Sequence, residues 1–195
     1  MAHCEKRLIL ASGSPRRREL LEKFSLPFEI LPACGEEHAE SGLSPEETVI
    51  ALARAKAREV AARVGDSSAV ILAADTVVEC DGRILGKPHG EAGAREMLSA
   101  LSGREHRVWS GLCVREGERE RVAAEATKVF FRPLREEELT LYIQSGEPLD
   151  KAGAYGYQGL AGAFVERIEG DYYNVIGLPL CRLGELLREF DISLL

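Results

Sequence analysis

The stretch Leu8-Ile-Leu-Ala-Ser-Gly-Ser-Pro-Arg-Arg-Arg-Glu-Leu20 reads as a strand, a sharp turn and the start of a helix, and the rest of the chain is organised around it. Leu8 to Ala11 is an apolar run of the length of one buried strand. Ser12-Gly13 lets the chain turn, since glycine tolerates backbone angles that other residues avoid. Ser14 suits the N-cap, and Pro15 the first helical position, where no N–H is needed. Arg16, Arg17 and Arg18 then fill the first turn, where the helix dipole favours negative charge. Three residues after the cap stands Arg17, so the Glu or Gln of a capping box is missing. Three cations beside open helix N–H groups are locally unfavourable unless an anion shares the place, and a phosphate would resolve the conflict. A solvated basic turn that merely starts a helix is the other reading, and this stretch alone leaves both open. Leu20, Leu21 and Phe24 continue as an apolar stripe that packs the helix on a sheet.

Composition narrows the classes. A chain of 195 residues suits one domain or two small lobes, and 45% hydrophobic with 29% charged residues is enough to bury a core. The formal net charge of -7 argues against a general nucleic-acid binder, whose backbone contacts need a basic surface. A local cluster of cations in an acidic protein suits a small anionic ligand. Cys4, Cys34, Cys80, Cys113 and Cys181 are scattered, odd in number and contain no Cys-x-x-Cys, which fits a reducing compartment without disulfides or a zinc site. Residues 1–7 lack the apolar core of a signal peptide, and no apolar run approaches the ~20 residues of a membrane helix. A soluble, cytoplasmic protein without a membrane partner is expected.

Along the chain, Phe28 to Leu31 reads as the second strand, and Cys34-Gly-Glu-Glu-His38 as an acidic loop. Ser44-Pro-Glu-Glu47 is a strong helix start, and the helix runs to Val64 with Val49, Leu52, Ala53, Val60 and Val64 on its apolar stripe. Lys56 falls on that stripe, where a lysine must either snorkel to water or meet an anion. Ala69 to Val78 reads as a buried strand, with Asp75 inside it. A buried carboxylate is costly unless it is paired, hydrogen-bonded or holding a metal, and functional carboxylates are often of this kind. Satisfaction by backbone N–H groups is the alternative. Residues 79–83 make a hairpin turn around Asp81-Gly82, and Ile84-Leu85 returns to Gly86-Lys87-Pro88, where Lys87 has a constrained backbone and a side chain that can be aimed.

Glu91 to Leu101 is the next helix. His106 to Val114 is a strand with Val108, Ser110, Leu112 and Val114 on one face. The mixed charges of Arg115 to Arg121 suggest an exposed hairpin tip, Val122 to Phe131 the return strand, and Arg135 to Gln144 a helix. Residues 148–159 form an irregular segment rich in small residues, whose glycines permit close backbone approach and whose Tyr155 and Tyr157 could stack on a base. A hairpin of Phe164–Ile168 and Tyr172–Ile176 and a last helix, Leu180–Phe190, complete the expectation. His3, His38, His89 and His106 show no metal-ligand spacing and are taken as structural. There is no repeat and no clear interdomain linker.

Cations that hold a polyphosphate, with carboxylates that hold a divalent metal and activate water, point to phosphoanhydride or phosphate-ester hydrolysis. Mg²⁺ suits such a site, because it takes few carboxylates and bridges substrate phosphates.

Four motifs in order make the chain resemble the Maf family of nucleoside triphosphate pyrophosphatases: Leu10-Ala-Ser-Gly-Ser-Pro-Arg-Arg17, Ala74-Asp-Thr76, Gly86-Lys-Pro88 and Asp150-Lys-Ala-Gly-Ala-Tyr-Gly-Tyr-Gln-Gly159. The likeness runs from about Leu8 to Phe190. It implies an elongated α/β mixed-sheet fold with a central cleft, related to the inosine-triphosphate pyrophosphatases: one domain over residues 1–195, of two lobes, usually a homodimer. It also implies hydrolysis of a nucleoside triphosphate to monophosphate and pyrophosphate with a divalent cation, Mg²⁺ or Mn²⁺. By the resemblance, Ser12, Arg17, Glu37, Lys56, Asp75 and Lys87 match the family's catalytic and substrate-binding set, with Asp75 as proton acceptor. Glu37 and Asp75 are expected to hold the metal, and which of Glu36 and Glu37 touches it stays open. Arg16, Thr76 and Gln158 resemble the branch that prefers dTTP and UTP; on the mechanism this suggests, Arg16, Arg17, Lys56 and Lys87 neutralise the triphosphate, aided by Ser12, and Gln158 would read the pyrimidine edge, since an amide offers a donor and an acceptor. The 7-methyl-GTP branch commonly carries tryptophan at the position of Arg16. A nucleotide-binding regulator of cell division that does not hydrolyse is the rival from another class, and the acidic set argues against it.

Overall fold

The computed structural model describes residues 6–35 and 42–195. Strand β1 (Leu8–Leu10) is wholly buried and runs parallel to neighbours on both sides, β2 (Glu29–Ile30) and β3 (Val70–Cys80). Two parallel partners explain why the run shows no in–out alternation. The remaining elements are α1 (Pro15–Leu21), α2 (Pro45–Val64), β4 (Arg83–Leu85), α3 (Gly90–Leu101), β5 (Glu105–Glu116), β6 (Arg119–Phe131), α4 (Glu136–Gln144), β7 (Val165–Glu169), α5 (Tyr172–Ile176) and α6 (Leu180–Arg188). Short 3₁₀ turns occupy Glu147–Asp150, Ala152–Ala154 and Leu160–Phe164. The strands order as β2-β1-β3-β5-β6-β7, with β4 paired antiparallel to β3, so the sheet is mixed and the chain is α/β, as expected. Among the described residues, no helix is long and apolar enough to cross a membrane.

The chain divides into two compact units. The first comprises Met1–Asp75, Ser110–Glu125 and Gly177–Leu195; the second comprises Thr76–Trp109 and Ala126–Ile176. In the first, α2 is fixed at both ends. Ser44 Oγ accepts from the Glu47 N–H (3.2 Å), the Glu47 carboxylate accepts from the Ser44 N–H (2.9 Å), and Gly65 closes the helix with φ 67°. Its small buried residues Ala53 and Ala57 bring it close to the sheet residues Ile9, Ile71 and Cys113. The approach is tightest at Gly111, where a Cβ would stand 2.3 Å from the Val49 carbonyl oxygen.

The second unit packs α3 and α4 with Val108, Val129, Phe131, Tyr155 and Phe164. The β3–β4 hairpin turns through Asp81 and Gly82, both at positive φ (51° and 75°), the pairing that an Asp-Gly sequence favours. His106 lies in this core at 2% exposure, edge-on to Phe131 and Tyr155, with Nε2 2.8 Å from the Tyr155 hydroxyl. Burial holds its pKa down at about 4, below the ordinary imidazole value.

Several expectations need correction. Residues 172–176 are helix α5, not a strand: Gly170 turns the chain at φ 126°, and Asp171 Oδ1 accepts from the Tyr173 N–H (2.7 Å), which starts a helical turn. The charged run 115–121 is not wholly an exposed tip. Glu120 is nearly buried, and Arg54, Arg58 and Arg115 converge on it, so the strands extend to Glu116 and from Arg119. Ser14 occupies the N-cap position of α1 without capping; its own N–H donates to Ser12 Oγ (3.2 Å).

Two outcomes follow. Gly111→Ala drives a methyl into helix backbone that cannot yield like a side chain, and it should cost about 2–3 kcal/mol in a denaturant titration; an unchanged midpoint would show that α2 can shift. For His106, the unfolded chain binds a proton near pH 6.5 and the folded chain only near 4, so its contribution to stability is complete above pH 6.5 and lost as pH falls towards 4. Between pH 7 and 4.5 the native protein should lose about 2 kcal/mol more than His106→Gln, compared by unfolding at each pH.

Candidate active site

Ser12, Arg16, Arg17, Lys56 and Asp75 belong to the first unit; Thr76, Lys87 and Gln158 belong to the second. In the first, the chain leaves β1 through buried Ser12 and enters α1, a helix of two turns with no acidic residue in its first. The three arginines of that turn take different directions. Arg18 is exposed and pairs with Glu22 one turn on (2.6 Å). Arg16 is half-buried. Arg17 is buried: its Nη1 donates to the Ala74 carbonyl (2.8 Å) and to Ser12 Oγ (3.2 Å), and its Nε to the Gly177 carbonyl (2.8 Å). These three partners are neutral oxygens, and together they fix the guanidinium in one orientation.

The Ala74 carbonyl places Asp75 next along β3, at 5% exposure. Among the described residues, Asp75 is the one buried carboxylate. Lys56 reaches it from α2, with Nζ 2.5 Å from Oδ1. The sequence left snorkelling and anion contact open for Lys56, and backbone contact and function open for Asp75; here the anion that Lys56 meets is Asp75. Ser12, Arg17, Lys56 and Asp75 are thus linked through short contacts within one unit.

In the second unit, half-buried Thr76 follows directly in β3. Lys87 is exposed on a backbone held at both neighbours: the Gly86 carbonyl accepts from the Gly153 N–H (3.0 Å), and Pro88 is buried. Gly153 sits at φ 67°, and a Cβ there would lie 2.8 Å from Val78 Cγ2, so this contact between two motifs requires glycine. Gln158 is exposed. Tyr155 is not available to stack on a base: it is 6% exposed and packed edge-on against His106 and Phe131. Tyr157 is half-buried against Tyr172.

Glu36 and Glu37 lie outside the described residues. Among the described residues, no group of three His, Cys, Asp or Glu side chains is placed to hold a metal, and Cys34, Cys80, Cys113 and Cys181 are free thiols. A single buried carboxylate, Asp75, nevertheless fits Mg²⁺ or Mn²⁺, since hard cations take oxygen donors and complete their shell with substrate phosphates and water.

Two structural residues escaped the sequence reading. Asn174, fully buried in α5, donates from Nδ2 to the Val108 carbonyl and to Thr127 Oγ1 (3.0 Å each). Glu147 accepts from the Tyr142 hydroxyl and from the Leu160 N–H (3.0 Å each). An isolated polar residue carries no periodic signal, so neither stood out.

With this geometry in place, the comparison with known sequences defines the class: residues 7–190 match the family described as Maf-like protein, and the chain belongs to that family. Its relatives include the dTTP/UTP pyrophosphatase of Thermococcus gammatolerans, 52% identical over 188 residues that cover 96% of this chain and 98% of the relative. The dTTP/UTP pyrophosphatase of Moorella thermoacetica is 50% identical over 189 residues, covering 96% of each chain. That of Bacillus cereus is 49% identical over 188 residues, covering 96% and 97%. In fold, the chain is similar to the Staphylococcus aureus Ham1 protein, with a TM-score of 0.52 and 14% identity over 94% of this chain and 99% of that one.

The Lys56–Asp75 contact predicts a coupling. Lys56→Met leaves the Asp75 charge in an apolar strand without its ammonium and should cost roughly 3–5 kcal/mol of stability. Adding Asp75→Asn should recover a large part of that loss. Additive costs in the four-member cycle would show that the two groups are energetically independent.

Proposed function

We propose that this protein is a nucleoside triphosphate pyrophosphatase that hydrolyses dTTP and UTP, and modified pyrimidine triphosphates of the same shape, to the monophosphate and pyrophosphate, in a nucleotide-pool housecleaning role. The observation that carries the reading is the buried Asp75, held by Lys56 at 2.5 Å and set beside the carbonyl that Arg17 grips. Its company, about 50% identity to dTTP/UTP pyrophosphatases along nearly the full chain, selects this reaction from the phosphoryl hydrolases.

On this reading Asp75 accepts the proton of the attacking water, and Lys56 fixes the Oδ1 side of its carboxylate. Arg16, Arg17 and Lys87 meet the triphosphate, and Ser12 holds Arg17 in register with the strand. Arg16, Thr76 and Gln158 select the base; an amide offers a donor and an acceptor to a pyrimidine edge. Asp75, with Glu37, would hold the divalent cation, which when bound neutralises phosphate charge and polarises the reacting phosphorus. Attack at the α-phosphorus releases pyrophosphate. The reading includes a cytoplasmic homodimer that works on a free nucleotide, with no nucleic acid or membrane as partner.

The test is separation of products by anion exchange after incubation with Mg²⁺ or Mn²⁺ and each of dTTP, UTP, CTP, GTP and 7-methyl-GTP. Monophosphate and pyrophosphate from dTTP and UTP are expected, with turnover in Asp75→Asn down by at least about a hundredfold. Diphosphate and phosphate would overturn the bond assignment, and preference for 7-methyl-GTP would overturn the substrate.

A further inference from the structure

Gln158 sits in the middle of a short loop, residues 156–160, and both ends of that loop are tied to the same pair of side chains. At one end the Gly156 N–H donates to the Tyr142 hydroxyl oxygen (3.3 Å). At the other, the Leu160 N–H donates to Glu147 Oε2 (3.0 Å). The pair is itself joined, because the Tyr142 hydroxyl donates to Glu147 Oε1 (3.0 Å). The loop closes on itself through the Gly159 N–H and the Gly156 carbonyl (3.0 Å). Glu147 is held from behind, its own carbonyl accepting from Lys151 Nζ (2.7 Å), which also pairs with Asp150 (2.7 Å).

The glycines of this segment are where these side chains press. A Cβ at Gly159 would lie 2.2 Å from Glu147 Oε1, and one at Gly156 would lie 2.7 Å from Lys151 Cε. Each clash is with the far end of a side chain rather than with backbone. The loop backbone therefore rests directly on the carboxylate and the lysine stem, and a methyl there would displace the support without breaking the fold. Burial, together with the Glu147 charge, raises the Tyr142 pKa, so its hydroxyl stays protonated and remains a donor throughout the working pH range.

We propose that Glu147, acting through Tyr142 and the Leu160 N–H, is a positioning residue for base selection: it fixes the loop that presents Gln158 to the pyrimidine. The inference rests on the pyrimidine-triphosphate reading above. A carboxylate at this place holds the loop through Tyr142 and Leu160 and carries the same sign of charge as a phosphate, so its loss should weaken discrimination between bases more than chemistry at phosphorus.

The experiment measures kcat and KM for dTTP, UTP, CTP and GTP on the full-length protein and on Glu147→Ala, Glu147→Gln and Gly159→Ala, each with its thermal midpoint. In Glu147→Ala the preference in kcat/KM for dTTP over CTP and GTP should fall at least about tenfold, through KM, with kcat for dTTP nearly kept. Gly159→Ala, which keeps the carboxylate but pushes it aside, should show the same loss. Glu147→Gln should restore most of the preference, its oxygen accepting from Leu160 and its amide reaching the Tyr142 oxygen. A drop shared equally by all four nucleotides, in step with the thermal midpoint, would reduce Glu147 to a structural role and overturn the inference; so would unchanged preference in folded Glu147→Ala and Gly159→Ala. Lack of pyrimidine preference in the unmodified protein would overturn the function and this inference together, and the unmodified protein's own rates tell that case apart.

Discussion

A buried guanidinium needs acceptors set out in advance, because five N–H donors on a rigid fork cannot be left unsatisfied away from water. Arg17 finds them in three places: Ser12, five residues earlier; the Ala74 carbonyl, 57 residues on; and the Gly177 carbonyl, 160 residues on. The first turn of α1, the middle of β3 and the approach to α6 are thereby held in register by one side chain. Asp75 follows Ala74 directly, so the position of the acid is fixed by the cation that grips the preceding peptide. Lysine, a compact point charge without the fork, could not make the same set of contacts.

The second unit solves the corresponding problem with glycine. Its motif segments approach one another through backbone, as where the Gly153 N–H meets the Gly86 carbonyl and a Cβ would run into Val78. Around Gly156 and Gly159 the pressing atoms are the flexible ends of Lys151 and Glu147 instead. A backbone-to-backbone approach such as Gly111 on Val49 makes a rigid seam. A backbone resting on side-chain ends makes a surface whose shape follows from which side chains support it. That difference separates what holds the sheet and helix together from what shapes the Gln158 loop.

The elements most legible in the sequence were those specified by local chemistry. Ser44, Pro45, Glu47 and Gly65 fix the ends of α2, Asp81-Gly82 specifies its hairpin, and the apolar runs of β1 and β3 announce buried strands. Failures came where tertiary contacts outvoted local pattern. Tyr172–Ile176 has strand-like composition, yet the Asp171 side chain starts a helix there and Asn174 anchors it inward. Residues 115–121 look like a solvated tip, yet arginines from α2 draw Glu120 into the structure. Tyr155 is amphipathic in sequence, and nothing local shows that His106, 49 residues earlier, takes its hydroxyl.

The candidate site was visible for a related reason: its residues break local rules. An arginine in a helix's first turn, a lysine on an apolar stripe and an aspartate inside a buried strand are each unfavourable alone, and the structure lets them answer one another. Glu147 broke no rule, since an acid in a polar segment is ordinary, and only the fold shows what it holds. The pairing also divides the electrostatic work. Lys56 and Asp75, at 2.5 Å, are counter-ions to each other. Arg17 instead spreads its contacts over a hydroxyl and two carbonyls from three separate stretches of chain, so its rigid fork is fixed in direction by the backbone and cannot turn without releasing the strand that carries Asp75.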